Sequence, residues 1–92
     1  MDNESQAIAA INSLKINLRV GDAVFSNDLR IDSEHESDDE SWEYLLRDPR
    51  DWFGYVERVD PSRADCLLVH YRFAQKIWAR VWQPPEDVRK AQ

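Results

Sequence analysis

The chain has 92 residues, of which 18 are acidic and 12 basic, and its formal charge is −6. This length suits one small domain with a single modest core. Two glycines exclude a glycine-rich phosphate loop, and the single cysteine, Cys66, cannot form an internal disulfide. We expect an intracellular setting, because small exported domains usually carry disulfides. The acidic start, Met1–Ser5, does not resemble a signal peptide, and no apolar run reaches membrane length.

The acidic residues are concentrated in one part of the chain. Residues 28–51 hold ten acids and three bases, a balance of −7, whereas residues 52–92 hold five acids and seven bases. Nucleic acid is therefore disfavoured as a partner, because its affinity comes mainly from neutralised phosphates. A basic protein segment suits this charge better. The alternative is that the acids only keep the domain soluble.

The N-terminal part of the chain predicts a helix followed by a bent strand. Residues 4–14 place Ile8, Ile11 and Leu14 at helical spacing. Residues 15–27 form the predicted first strand region, in which apolar and polar residues alternate from Ile16. Gly21 interrupts that alternation, and we expect a sharp bend there.

Residues 28–51 predict a long acidic insertion after the first strand. The run 33–40 has no apolar residue, so we expect it to be solvated and mobile. A helical turn capped by Ser41 follows, and Trp42 with Leu45 or Leu46 anchors it to the domain. The turn ends before Pro49, since the residue before proline disfavours helix.

Residues 52–92 predict three consecutive strands and a closing turn. The strands cover 52–59, 66–73 and 77–82, and Pro84-Pro85 ends the last of them before a single 3₁₀ turn. We expect six residues of the predicted strands to be buried in the core; they are Val24, Val56, Val59, Leu67, Val69 and Val81. The order of elements predicts an all-β, five-stranded SH3-like barrel of one domain, 1–92. A split α+β meander fits nearly as well.

No catalytic, cofactor or metal-binding pattern is present in the sequence. The possible nucleophiles lack a base at a meaningful spacing, and one cysteine with two distant histidines does not match a zinc site. We therefore expect a binding protein rather than an enzyme, with no cofactor and no metal. Cys66 opens an apolar strand, which favours a core position.

The aromatic residues are the candidates for a binding site. A cage for a methylated lysine or arginine needs several ring faces around one cation. Trp52, Tyr71, Phe73 and Trp78 all fall at predicted strand ends, where the rim of a small barrel lies. The alternative is that these rings simply fill the core.

The segments Trp52–Asp60 and Cys66–Tyr71 resemble the second and third strands of Tudor domains, especially those of Polycomb-like chromatin proteins. The stretch Val69–Tyr71 with the later Trp78 is similar to the chromo-barrel or Tudor-knot variant. The resemblance implies a cage formed by Trp52, Tyr71 and Trp78. Asn27 stands where the family has a ring on the first strand, so Phe25, or Trp42 and Tyr44 from the insertion, are the replacement candidates.

This resemblance implies a chromatin-type reader that binds a basic protein or peptide, such as a histone tail, in methylated or unmethylated form. It also favours the nucleus over the cytoplasm. Two alternatives remain open. One is a protein-interaction barrel inside a larger assembly, as in ubiquitin-pathway enzymes; the other is a small acidic inhibitor from a virus or mobile element.

Overall fold

The fold is described here from a computed structural model, for residues 16–73 and 77–91. The predicted helix 4–14 lies outside the described residues, as does the connection at 74–76. Among the described residues, no helix has both the length and the apolar character needed to cross a membrane.

The described residues are mostly β, with one short helix and one 3₁₀ turn. The elements in chain order are β1 (Ala23–Ser26), β2 (His35–Glu36), α1 (Asp39–Arg47), β3 (Phe53–Val59), β4 (Leu67–Phe73), β5 (Ile77–Gln83), the 3₁₀ turn (Pro85–Asp87) and β6 (Val88–Lys90). All strand pairs are antiparallel, and the order across the sheet is β2-β5-β4-β3-β1-β6. The predicted meander of β3, β4 and β5 and the predicted 3₁₀ turn are confirmed.

The sheet is not the closed five-stranded barrel that the sequence predicts. In the described ranges it has six strands, and β2 and β6 stand at opposite ends of the strand order without pairing to each other. The additional strand is β2, from within the acidic insertion, where His35 pairs with Val81 and Glu36 with Arg80. The sequence did not predict this strand, because a run without apolar residues has no hydrophobic alternation.

The core lies where the strand alternation predicts it. Val24, Val56, Leu67, Val69 and Val81 are fully buried, and Cys66 joins them. Val59 is half-buried and packs against this core. A register shift between Val56 and Arg58 pairs Val59 with the buried Leu67, so the bulge brings Val59 to the same face as Val56. The predicted core faces of the strands are therefore confirmed, with Val59 only partly covered.

The first strand is shorter than predicted. Residues 16–19 form no strand, and a turn at Val20-Gly21 precedes β1. Gly21 has φ +94°, a left-handed conformation that favours glycine, and its N–H donates to the Val56 carbonyl at 2.8 Å. The predicted bend is present, but only the part after it pairs with β3.

The acidic insertion is more structured than predicted. Helix α1 spans Asp39–Arg47, and its N-cap is Asp38 rather than Ser41: the Asp38 carboxylate accepts a 2.6 Å hydrogen bond from the Ser41 N–H. Trp42 and Leu45 are buried against the core, so the predicted anchor is confirmed, with Leu46 half-buried. The helix ends before Asp48-Pro49, as the proline rule requires.

Candidate functional site

Tyr71, one of the three rings implied by the family resemblance, is a core residue. Its side chain is 0% exposed, and its hydroxyl donates a hydrogen bond to Gln83 Oε1. Burial strongly raises the pKa of the phenol. The prediction that the Tyr71 ring faces a surface cage is therefore wrong, because nothing outside the domain can reach that ring.

Trp52 lies beside Tyr44 at the surface. Their ring centroids are 5.5 Å apart in an edge-to-face arrangement, and the Trp52 indole N–H donates to the Asp48 carbonyl at 2.7 Å. Both rings line an open cleft of about 530 Å³. Three arginines and the Phe53 ring line the same cleft. We call this surface the arginine cleft and define it by Tyr44, Arg47, Arg50, Trp52, Phe53 and Arg72.

The other candidate rings lie in separate places. Phe25 packs edge-to-face on Phe53, with centroids 5.5 Å apart, and the Arg89 guanidinium lies 5.1 Å from the Phe25 centroid. Trp42 is buried, and its ring stacks on His35 with centroids 3.6 Å apart.

Trp78 is half-buried and lies 6.3 Å from the His70 ring. His70 also stacks on Tyr55 and lies 3.8 Å from the Glu57 carboxylate. The structure thus brings Trp52 to Tyr44 and Phe25 to Phe53, but it does not gather Trp52, Tyr71 and Trp78 around one concavity.

A second cleft, of about 490 Å³, lies at the end of β5 beside the start of the acidic insertion. Its floor contains Trp82, which the sequence analysis did not select. Four acidic residues also line it, namely Asp32, Glu34, Asp65 and Glu86. Together with Trp82 they define what we call the acidic cleft. Backbone pairing holds its two sides together, since the Trp82 N–H donates to the Glu34 carbonyl at 3.0 Å.

An arginine of the chain itself lies on the Trp82 ring. The Arg63 guanidinium carbon is 3.9 Å from the ring centroid, within the range of a cation–π contact. The same group forms a two-point contact with Asp65, at 3.0 and 3.2 Å, and donates to Glu34. These bonds to Asp65 and Glu34 raise the pKa of Arg63. One tryptophan face and two carboxylates thus surround one guanidinium.

Two carboxylates of the acidic cleft have no such partner. Within residues 16–73 and 77–91, no basic side chain lies within salt-bridge distance of Asp32 or Glu86. Arg30, on the same rim, is held by Asp87 at 3.1 Å. Burial raises the pKa of Asp87, while the hydrogen bond from Arg30 lowers it. The acidic cleft therefore carries unneutralised negative charge beside an aromatic floor.

A sequence signal for the acidic cleft existed but was weak. Trp82 alternates with Trp78 and Arg80 on β5, which places the three on one face of the sheet. The pairing of Leu68 with Trp82 and the return of the acidic insertion through Glu34 are long-range features. They could not be inferred from local pattern.

No metal centre accompanies these clefts: across the described part of the chain, no group of three or more histidine, cysteine or acidic side chains could hold a metal ion. Comparisons of the chain with protein-family models, with curated proteins and with solved structures give no match. A functional assignment therefore depends on the geometry and charge of the two clefts.

Proposed function

We propose that this domain is a non-enzymatic binding module for a basic protein segment, and that the acidic cleft receives the cationic side chains of that segment. The observation that carries the proposal is the position of Arg63, whose guanidinium lies between the Trp82 ring and the carboxylates of Glu34 and Asp65. Arg63 thus shows that a ring face and carboxylates in this region can together bind a cation, which is what a bound arginine or lysine needs.

The unpartnered carboxylates supply the capacity for a second cation. Asp32 and Glu86 line the same cleft as Trp82, and a partner's guanidinium or ammonium group there would neutralise them. A histone tail is one segment with the required charge.

The proposal includes a relationship to SH3-like barrels of the Tudor type. The order of elements supports it: β1 is followed, after a long insertion, by the β3-β4-β5 meander, and the 3₁₀ turn returns the chain as β6 to pair with β1. The acidic insertion would then be an elaborated first loop, which adds β2 to the far end of the sheet.

Methylation should not be required for binding. Cages that select methylated cations use two to four rings, whereas a single ring, Trp82, lines the acidic cleft among the described residues. Carboxylates favour an unmethylated cation, which keeps its hydrogen-bond donors. We expect an unmethylated arginine-rich peptide to bind at least as tightly as its dimethylated form.

Fluorescence anisotropy with a labelled tetra-arginine peptide tests the proposal. Neutralising the cleft with Asp32→Asn and Glu86→Gln together should weaken binding by about threefold to tenfold, the range for exposed ion pairs. Trp82→Leu should weaken it by about tenfold, as loss of one ring face predicts. A thermal melt of each variant shows whether it is folded.

The matched control is Glu40→Gln with Glu43→Gln, which removes two charges from the exposed face of α1 outside the cleft. This control should bind the peptide within about twofold of the natural protein, as expected when only distant screened charges are lost. Equal weakening in both double variants would mean general charge attraction and would contradict a role for the acidic cleft.

A further inference from the structure

The arginine cleft gathers three arginines that have no carboxylate partner among the described residues. Four arginines elsewhere are paired with carboxylates, namely Arg30, Arg63, Arg80 and Arg89. Arg19 and Arg58 have no salt bridge within the described residues, but neither lines this cleft. Within the described residues, no carboxylate lies within salt-bridge distance of Arg47, Arg50 or Arg72, although acids outnumber bases in the chain by 18 to 12. Three cations left unpaired around one cleft indicate a surface prepared for an anion.

The charge around this cleft matches one phosphate monoester. Asp48 and Asp51 also line it, and Asp51 is bonded to Arg89. Counting Arg89 with the three cleft arginines gives four positive charges against two negative. A phosphate monoester carries about −1.5 to −2 charges at neutral pH, and the planar guanidinium fork binds phosphate oxygens at two points.

The loop that carries Arg50 is held in place by one buried serine of β1. Ser26 donates its N–H to the Trp52 carbonyl at 2.9 Å and accepts the Asp51 N–H on its own carbonyl at 2.9 Å. Its hydroxyl donates to the Pro49 carbonyl and accepts the Trp52 N–H at 3.1 Å. This anchoring fixes the position of Trp52 and the loop before any ligand arrives, which lowers the entropic cost of binding.

The rings of the cleft offer a stacking surface for a planar group. The side chains of Phe53 and Tyr44 are 53% and 37% exposed, high fractions for aromatic residues that a small domain would otherwise bury. Tyr44 is held edge-on to Trp52, whose indole is hydrogen-bonded, so the rings are oriented. Aromatic faces beside arginines are the combination that stacks a nucleobase and neutralises its phosphate.

We propose that the arginine cleft binds a nucleoside monophosphate, with the base against Phe53 and Tyr44 and the phosphate against Arg47, Arg50 and Arg72. The cleft volume of about 530 Å³ lies within the range of small-molecule sites. A longer nucleic-acid strand is less suited, because its further phosphates would meet the negative balance of residues 28–51. The site is distinct from the acidic cleft, and the two proposals can fail independently.

Isothermal titration calorimetry of the full chain with AMP tests this assignment. Arg50→Gln and Arg72→Gln should each weaken AMP binding about tenfold, the usual effect of losing a charged hydrogen-bond donor. Arg58→Gln is the matched control: Arg58 is exposed on β3, carries the same charge and lies outside the arginine cleft. It should leave the affinity within about twofold, the effect of screened charge alone. Phe53→Ser, at an exposed position, should weaken binding about fivefold by removing a stacking face.

The ligand series separates the possible sources of the same chemistry. Adenosine and inorganic phosphate should each bind at least about tenfold more weakly than AMP, since each lacks one half of the recognised group. Absence of AMP binding at millimolar concentration would overturn the proposal, as would equal loss of affinity in Arg58→Gln and Arg72→Gln. Tighter binding of a phosphotyrosine peptide, or of a ten-nucleotide single strand, would also overturn the assignment to a nucleotide.

Discussion

The two clefts combine tryptophan with arginine in opposite ways. In the acidic cleft, the one arginine on the Trp82 face is neutralised by Glu34 and Asp65, and further carboxylates remain. In the arginine cleft, rings and cations line a common space, and the carboxylates are too few to pair with them. The comparison teaches that the sign of a ligand depends on which charges remain unpaired, because a paired ion contributes little field beyond its partner.

The largest expected effect is on the core that both clefts share. Leu67 is fully buried on β4, and Leu67→Ala should lower the free energy of unfolding by about 2–4 kcal/mol through lost burial and a residual cavity. Urea denaturation measures this loss. Leu46→Ala, at a half-buried position on α1, should cost less. Equal costs for the two variants would contradict the assignment of Leu67 to the centre of the core.

The close contact between β3 and β4 beside the arginine cleft gives the second prediction. A Cβ added at Gly54 would lie 2.5 Å from the His70 carbonyl oxygen and 2.8 Å from Tyr71 Cδ1. Gly54→Ala should therefore cost about 1–3 kcal/mol, as overpacking does. Gly21→Asn is the comparison, since that position has open space and asparagine tolerates its positive φ. A neutral Gly54→Ala would show that the strands can separate there.

The third prediction tests whether Tyr71 is a core residue or a ligand-binding residue. Tyr71→Phe keeps the ring but leaves the buried Gln83 side chain without its hydroxyl donor, which should cost about 1–2 kcal/mol. Affinity for the arginine-rich peptide should not change, because the ring is inaccessible in either cleft. A weaker peptide affinity with unchanged stability would restore Tyr71 as a binding residue.

The smallest effect concerns helix α1 of the acidic insertion, which carries Tyr44 and Arg47 of the arginine cleft. Hydrogen bonds from Ser41 lower the pKa of the Asp38 N-cap below its usual value. A carboxylate with a lowered folded-state pKa stabilises the protein above its unfolded pKa, about 3.9, and loses that contribution as the pH falls through the folded value.

Thermal melts of Asp38→Ala across pH measure this contribution. The variant should melt at a lower temperature than the natural protein at pH 7, and the gap should narrow as the pH falls below about 4. Asp38→Asn, which keeps a cap acceptor but does not titrate, is the control. A difference in melting temperature that did not depend on pH would exclude stabilisation by the ionised Asp38 carboxylate.

Local pattern predicted the parts of the fold that depend on neighbours in the chain. The alternation around Val69 and the proline stop at Pro84 were sufficient to place β4, β5 and the 3₁₀ turn. It could not predict β2, because His35 and Glu36 carry no strand pattern and are held by pairing with the distant Val81 and Arg80. The N-cap was assigned to Ser41 for a different reason, because the contact of the Asp38 carboxylate with the Ser41 N–H is local and both residue types are good caps.

The candidate site was predictable in composition but not in position. The sequence indicated aromatic residues and acidic charge, and both occur in clefts. Which rings face outward was decided by register: Tyr71 points into the core, whereas Trp82 faces the acidic cleft beside Asp65. Local pattern predicts the alternation of faces, but long-range pairing decides what each face meets.

The central claim is that the two clefts select ligands of opposite charge, and the indole N–H signals of Trp82 and Trp52 test it most directly. We propose ¹H–¹⁵N correlation spectra during separate titrations with tetra-arginine peptide and with AMP, with the signals assigned from Trp82→Leu and Trp52→Phe variants. The account predicts that the peptide shifts the Trp82 signal and AMP shifts the Trp52 signal. The account would be contradicted if both ligands shifted the same indole signal, or if the peptide shifted neither signal.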